Sequence, residues 1–175
     1  MRSTSKLSLE YILNDFRKNF HNKRCHLSLN YKGLDSIEIQ FHEHQLYHLL
    51  GIHKVTNKYR AKTAIEAIEK KHLTIDSIIN HKEFNDIKYR IIGYKSLYSI
   101  LVDPKTKLCT LGKDLDKNTM QLDLVLWDNI DFSKMMILGL RKTSDGSYVP
   151  TTLHRTEKKK HDHYKRTRIS AIIWI

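Results

Sequence analysis

Leu9, Ile12, Leu13, Phe16 and Phe20 recur at steps of three and four, and Ser5 or Ser8 is placed to cap the start. This pattern predicts an amphipathic helix over residues 6–20. CHLSLNY (25–31) alternates apolar and polar residues, a Gly33 turn follows, and SIEIQF (36–41) alternates again, so a short hairpin is expected. From Glu43 onward Leu46, Leu49, Leu50 and His53 return at helical steps. HEHQLYHLLGIHK (42–54) therefore reads as a helix with His53 on its apolar stripe and an end weakened by Gly51. AKTAIEAIEKKH, TIDSIINHK with Thr74 as its cap, and EFNDIKYRIIGY keep the middle of the chain helical.

After Tyr98 the period falls to two. Met120, Leu122, Leu124 and Leu126 alternate, MMILGLRK is a second strand-like run, and the loop TSDG joins it to SYVPTTLHRT. RISAIIWI closes the chain as an apolar strand. Helices first and antiparallel strands after predict an α+β domain, with the helices packed on one face of the sheet. The expected division is a helix and short hairpin in residues 1–40 and the main region in 41–175, all within one compact domain. No 20–50-residue period repeats, which excludes a solenoid.

A chain of 175 residues with 40% apolar content can bury a core without metal or disulfides. Its apolar runs are far shorter than the roughly 20 residues that span a bilayer. The N-terminal segment interleaves Glu10, Asn14 and Asp15 with its apolar residues, unlike a secretory signal. Cys25 and Cys109 have no Cys-x-x-Cys partner, so both are expected as small buried hydrophobes in a reducing cytoplasm.

The net charge of +12 is uneven. Between His154 and Arg168 seven Lys/Arg stand against two acids, with three histidines and Tyr164 among them. Such a segment suits nucleic-acid phosphates, with Tyr164 available to stack on a base, although a solvated basic loop would look the same. His42, His44, His48 and His53 crowd one stretch, but HEHQL lacks the second histidine of His-Glu-x-x-His, so no metal site is expected. His53 beside Lys54 is either a satisfied core histidine or a general base held toward its neutral form. In SYVPTTLHRT, Thr152 and His154 face one way while Thr151, Leu153 and Arg155 face the other. Hydroxyl, imidazole and Arg141 of the neighbouring strand could hold a phosphate. A polar strand face with threonine chosen for β-propensity is the alternative. No Gly-x-Gly-x-x-Gly, Walker-type or Gly-x-Ser-x-Gly motif is present.

HLLGIHK, ILVDPKTKLCTLGKDLDKNTMQLDLVLWDNID, MMILGLRKTSDGSYVPTTLHRTEKKKHDHYKRTR and the closing ISAIIWI together resemble a phage-associated nuclease family. It is the family likened to barnase, EndoU, colicin nucleases and RelE, in its fourth subfamily, and the likeness runs from about Phe41 to the end. The resemblance implies a barnase- or RelE-like α+β fold, with N-terminal helices packed on a C-terminal antiparallel β-sheet of about four strands, and metal-independent, cofactor-free cleavage of RNA, with a target in tRNA or the translation apparatus. Carried over by position, it places the site on His48, His53, Lys54, Arg141, Thr151, Thr152 and His154. Flanking RNA would meet Arg155, Lys158, Lys159, Lys160, Tyr164, Lys165, Arg166 and Arg168.

The expected function is a phage or toxin-type endoribonuclease acting by 2'-hydroxyl attack to a 2',3'-cyclic phosphate. Its partners would be RNA and an acidic antitoxin or immunity protein, with no membrane. The alternative is a non-enzymatic nucleic-acid-binding phage protein or regulator that needs the cations but not the histidines.

Overall fold

The computed structural model describes residues 7–175, so the first residues of the expected N-terminal helix lie outside it. Helix α1 (Leu9–Asn19) starts at Ser8, whose hydroxyl accepts the Tyr11 amide at 3.0 Å. Such a cap is worth about 1 kcal/mol. Glu10 in the first turn and Arg17 and Lys18 in the last complement the helix dipole, and Leu9, Ile12, Leu13 and Phe16 are buried. Strands β1 (Arg24–Leu29) and β2 (Ser36–Gln40) form the expected hairpin, with Cys25 opposite Ile39 and Leu27 opposite Ile37. The helical middle comprises α2 (Leu46–Leu49), α3 (Ala61–Glu69), α4 (Ile75–Ile78), α5 (Phe84–Ile92) and α6 (Ser96–Leu101). Then follow β3 (Leu108–Leu111), β4 (Leu124–Asn129), β5 (Lys134–Lys142), β6 (Tyr148–Glu157) and β7 (Thr167–Trp174).

These strands do not make a four-stranded antiparallel sheet beneath N-terminal helices. All seven close into a mixed barrel in the order β1-β2-β6-β5-β4-β3-β7. The N-terminal hairpin, which local pattern gives no reason to join to the later strands, supplies two staves. β1 pairs antiparallel with β7, and β2 meets β6 in parallel at Ile39–Tyr148. The physical reason is edge removal: an apolar strand such as β7 presents unpaired backbone groups on each side, and closure pairs them with β1 and β3. Met120 and Leu122, expected in a strand, lie in a loop before β4. There the Asn118 side chain donates to the Leu122 carbonyl at 2.7 Å and accepts the Leu122 amide at 2.9 Å.

The helices, inserted between β2 and β3, pack on one part of this barrel, α2 and α5 against β6 and α6 against β4 and β5. Strand β5 is consequently buried on both faces. Met136, Leu138 and Leu140 join the main core, whereas Met135 and Ile137 form a second cluster with Leu122, Val125 and Trp127. Phe16, Phe20, Phe41 and Trp174 bind α1 to the strand ends, with ring centroids 5.3–6.4 Å apart. Cys25 and Cys109 are buried free thiols pushed up to about 12 by desolvation, which keeps them protonated and inert. Among the described residues no helix is long and apolar enough to cross a membrane.

Candidate active site

The site grows from an irregularity in β6. Opposite β5, Thr152 pairs with Gly139 and Pro150 with Leu140, so Thr151 is the extra residue of a bulge, its hydroxyl turned back onto the Val149 carbonyl at 3.3 Å. A bulge bends its strand and increases the local twist. β2 accompanies β6 only at Tyr148, and beyond the bulge helices α2 and α5 flank that strand. Leu153 enters the core, while Thr152 and His154 share a face with their partners Gly139 and Ile137. Gly139 is needed there: a Cβ would stand 2.7 Å from Leu122 Cδ1 and 2.8 Å from Thr152 Cγ2.

Against this face lies Arg90 of α5. Its side chain is buried, one Nη donates to the Thr152 hydroxyl at 3.1 Å, and its Nε has no hydrogen-bond partner. No carboxylate is hydrogen-bonded to it among the described residues; Asp86 acts on it only through space. Desolvation lowers its pKa, so the protein holds a buried guanidinium without an ion-pair partner. Nearby, the Nδ1 of His154 is likewise buried and unpartnered. Desolvation, helped by the charges of Arg90, His161 and Lys54, lowers the His154 imidazole to about 4.

The expected continuous helix over 42–54 is broken. A 3-10 turn (Glu43–Gln45) leads into α2, Gly51 takes φ +72°, and a second 3-10 turn (Ile52–Lys54) follows. The left-handed residue resets the helical phase, so Ile52 turns inward and His53 is exposed, not on the buried stripe. His53 joins His48, with ring centroids 5.1 Å apart, and both lean on Tyr47. Desolvation lowers both imidazoles, with Arg90 and Lys54 adding to the effect at His53, and His53 and Arg141 adding to it at His48. Arg141 itself is committed to the Met120 carbonyl, which its Nε reaches at 2.9 Å.

Gly51 also makes room for Arg90. A Cβ there would lie 2.8 Å from Ile87 Cγ2 and 3.0 Å from Arg90 Cδ. Gly51→Ala is therefore expected to cost about 1–2 kcal/mol from backbone strain alone, and more from displacement of α5. Urea unfolding checks this, and an unchanged midpoint would show that the turn does not need glycine.

The remaining predicted residues divide into two groups. Arg155 lies over the Tyr89 ring at 3.5 Å, and Lys158–Lys160 form a short 3-10 turn next to it. Lys165 instead approaches Tyr31, and Arg166 sits over Trp127 at 5.7 Å and pairs with Asp162. Arg168 is in β7, opposite Leu108. Tyr164 is half-buried between His161 and His163. With Val125, Ile137 and His154 it lines a cavity of about 140 Å³.

His21, His42 and His44 gather apart, with the His42 ring centroid 4.7 Å from that of His21 and 4.2 Å from that of His44. Among the described residues no group of three His, Cys, Asp or Glu side chains is arranged to hold a metal ion. The two residues that sequence reasoning missed as site members are Arg90 and His161. Arg90 carries no local signal, since it reads as an ordinary polar position of α5.

Two imidazoles biased toward neutrality and an uncompensated buried arginine are groups of the kind that can receive an anion and transfer a proton. Residues 9–175 match the family described as PBECR4, phage-Barnase-EndoU-ColicinE5/D-RelE like nuclease4. The chain belongs to this family. Comparison with curated proteins and with solved structures gave no match. As a PBECR4 nuclease the protein acts on nucleic acid, which fits a cationic cluster with no carboxylate bonded to it. The family match includes α1 and the hairpin, in keeping with a barrel that the later strands cannot close without β1 and β2.

Proposed function

We propose that this PBECR4 nuclease is an endoribonuclease that uses the ribose 2'-hydroxyl as its nucleophile. The observation that carries the reading is a buried Arg90 guanidinium whose charge acts on a buried His154 imidazole, with Arg90 Nε and His154 Nδ1 each lacking a hydrogen-bond partner. Leaving such groups unsatisfied costs about 1–3 kcal/mol apiece, more where the group is charged, and a phosphate oxygen and a ribose hydroxyl would satisfy both.

His154, neutral at pH 7, takes the 2'-hydroxyl proton as the oxygen attacks phosphorus. Arg90 and Lys54 hold the negative charge that develops on the phosphorane, and Thr152 fixes the Arg90 guanidinium. His53, in the imidazolium fraction that its lowered pKa leaves, gives a proton to the departing 5'-oxygen as the P–O5' bond breaks, leaving a 2',3'-cyclic phosphate and a 5'-hydroxyl. His48 is a neighbour whose imidazole His53 helps to hold neutral, and Arg141 holds the loop at Met120. Thr151, as the bulge residue, sets the direction of Thr152 and His154. A toxin-type role in the cytoplasm fits this reading, and an inhibitor of a +12 chain would be acidic.

The test is cleavage of total tRNA and of a generic RNA in EDTA, with end-group analysis. Cyclic phosphate termini are expected. Salt-sensitive binding without cleavage would overturn the RNA-cleaving reading and leave a binding protein on the same scaffold.

A further inference from the structure

The β4–β5 hairpin ends in Phe132, whose side chain is fully exposed, with Ile130 half-exposed next to it. An isolated exposed phenylalanine is costly to order, yet this one stands on a stiff turn. The Asp131 carboxylate accepts the Ser133 amide at 2.7 Å, the Lys134 amide at 2.8 Å and the Ser133 hydroxyl at 3.1 Å. The Lys158 amide then donates to the Ser133 carbonyl at 2.9 Å, which fastens the basic 3-10 turn to the hairpin.

Two adjoining recesses form a trough between this tip and the active site. One recess is lined by His154, Arg155, Tyr89 and Lys160, and the next by Phe132, Lys158, Lys159 and Asp162. Lys134 and Glu157 belong to both recesses. Along the two, five cations face three carboxylates, Asp86, Glu157 and Asp162. Glu157 is shared between Lys134 at 3.2 Å and Lys159 at 3.5 Å, and Asp162 is paired with Arg166. Three residues of extended strand separate His154 from Glu157, roughly 10 Å, or about three nucleotides at the rise of a stacked strand.

We infer that this trough carries the single-stranded RNA flanking the cleaved bond, with Phe132, beyond Glu157, stacking on an unpaired base a few nucleotides from it. The inference rests on the proposed endoribonuclease reading for the position of the cleaved bond, but not for binding. Lysines on the walls meet phosphates, and the Tyr89–Arg155 stack offers a second flat surface along the path. A duplex cannot use Phe132, because its bases present no free face.

The experiment compares the parental protein with Phe132→Ala and Phe132→Trp. Each is titrated with fluorescent single-stranded hexanucleotides made uncleavable by 2'-deoxy substitution, with the same sequence as a duplex, and with a dinucleotide. Phe132→Ala is expected to bind the single strand roughly 5- to 150-fold more weakly, the range for loss of one base stack, while Phe132→Trp retains binding and the dinucleotide is insensitive to both changes. Because the probes cannot be cut, this result stands even if the protein cleaves no RNA. Equal binding of the single strand by Phe132→Ala and parent would overturn the inference and transfer Phe132 to a protein partner. Loss of duplex and single-strand binding alike would overturn it too, since stacking would then not be the cause.

Discussion

His154→Ala is expected to lower RNA cleavage by roughly 10²- to 10⁴-fold, the usual contribution of a positioned acid or base, with the protein still folded. Single-turnover cleavage of an RNA oligonucleotide, beside circular dichroism, is the measurement, and retention of the parental rate would remove His154 from the chemistry. The pH dependence separates its role further. In the free protein His154 is lowered from 6.5 to about 4, chiefly by desolvation, so it is available as a base down to that range. The acid limb of kcat/KM should therefore lie near pH 4 if His154 is the base. A bound phosphate favours the imidazolium, so the acid limb of kcat should sit at higher pH. Stability must follow the same group. Between pH 6.5 and 4 the unfolded chain binds a proton that the folded protein refuses, so the protein is stable above this window and loses up to about 3 kcal/mol as the pH falls through it. His154→Ala should flatten that decline.

Arg90 is expected to show the opposite relation between activity and stability. Arg90→Met should lower cleavage about 10²- to 10³-fold, as for loss of a donor aimed at developing charge. Yet it removes a buried guanidinium that no carboxylate balances, so its cost to the fold is limited to the stranded hydroxyl of Thr152, about 1–3 kcal/mol. Adding Thr152→Val removes that orphan. The double variant should be as stable as the parent or more so, while remaining inactive. Thermal unfolding of the two single variants and the double variant completes the cycle. A double variant less stable than either single one would show that Arg90 and Thr152 hold the fold, and are not held by it.

Much of this site is legible in the chain. Thr152 and His154 alternate along a strand next to a Gly-containing run, and His53 and Lys54 follow a marked turn, so residue type and spacing point to them. Arg90 is illegible because its burial comes from the approach of α5 to Gly51, a contact 39 positions apart in sequence that no local period records. Gly51 itself was visible, but it reads as a weak helix end, whereas its left-handed backbone re-phases the chain and turns His53 outward. The barrel escaped for a similar reason. Alternation in CHLSLNY and RISAIIWI specifies strands, but which strands lie beside them depends on edges that only the closed sheet satisfies. Phe132 carries no signal in the chain, since its significance is its exposure.

Closure of the sheet also restricts how the nuclease can be silenced. An inhibitor that works by laying down an extra strand needs an open edge, and among the described residues the ring from β1 round to β7 leaves only short ones, on β2 beside its single pair with β6 and on β7 beyond its two pairs with β3. The stretch of β6 that β2 leaves is already flanked by α2 and α5. A protein that silenced it by covering this face would read mainly side chains, presenting carboxylates to the lysine trough, and its grip should weaken with salt in a way that backbone pairing would not.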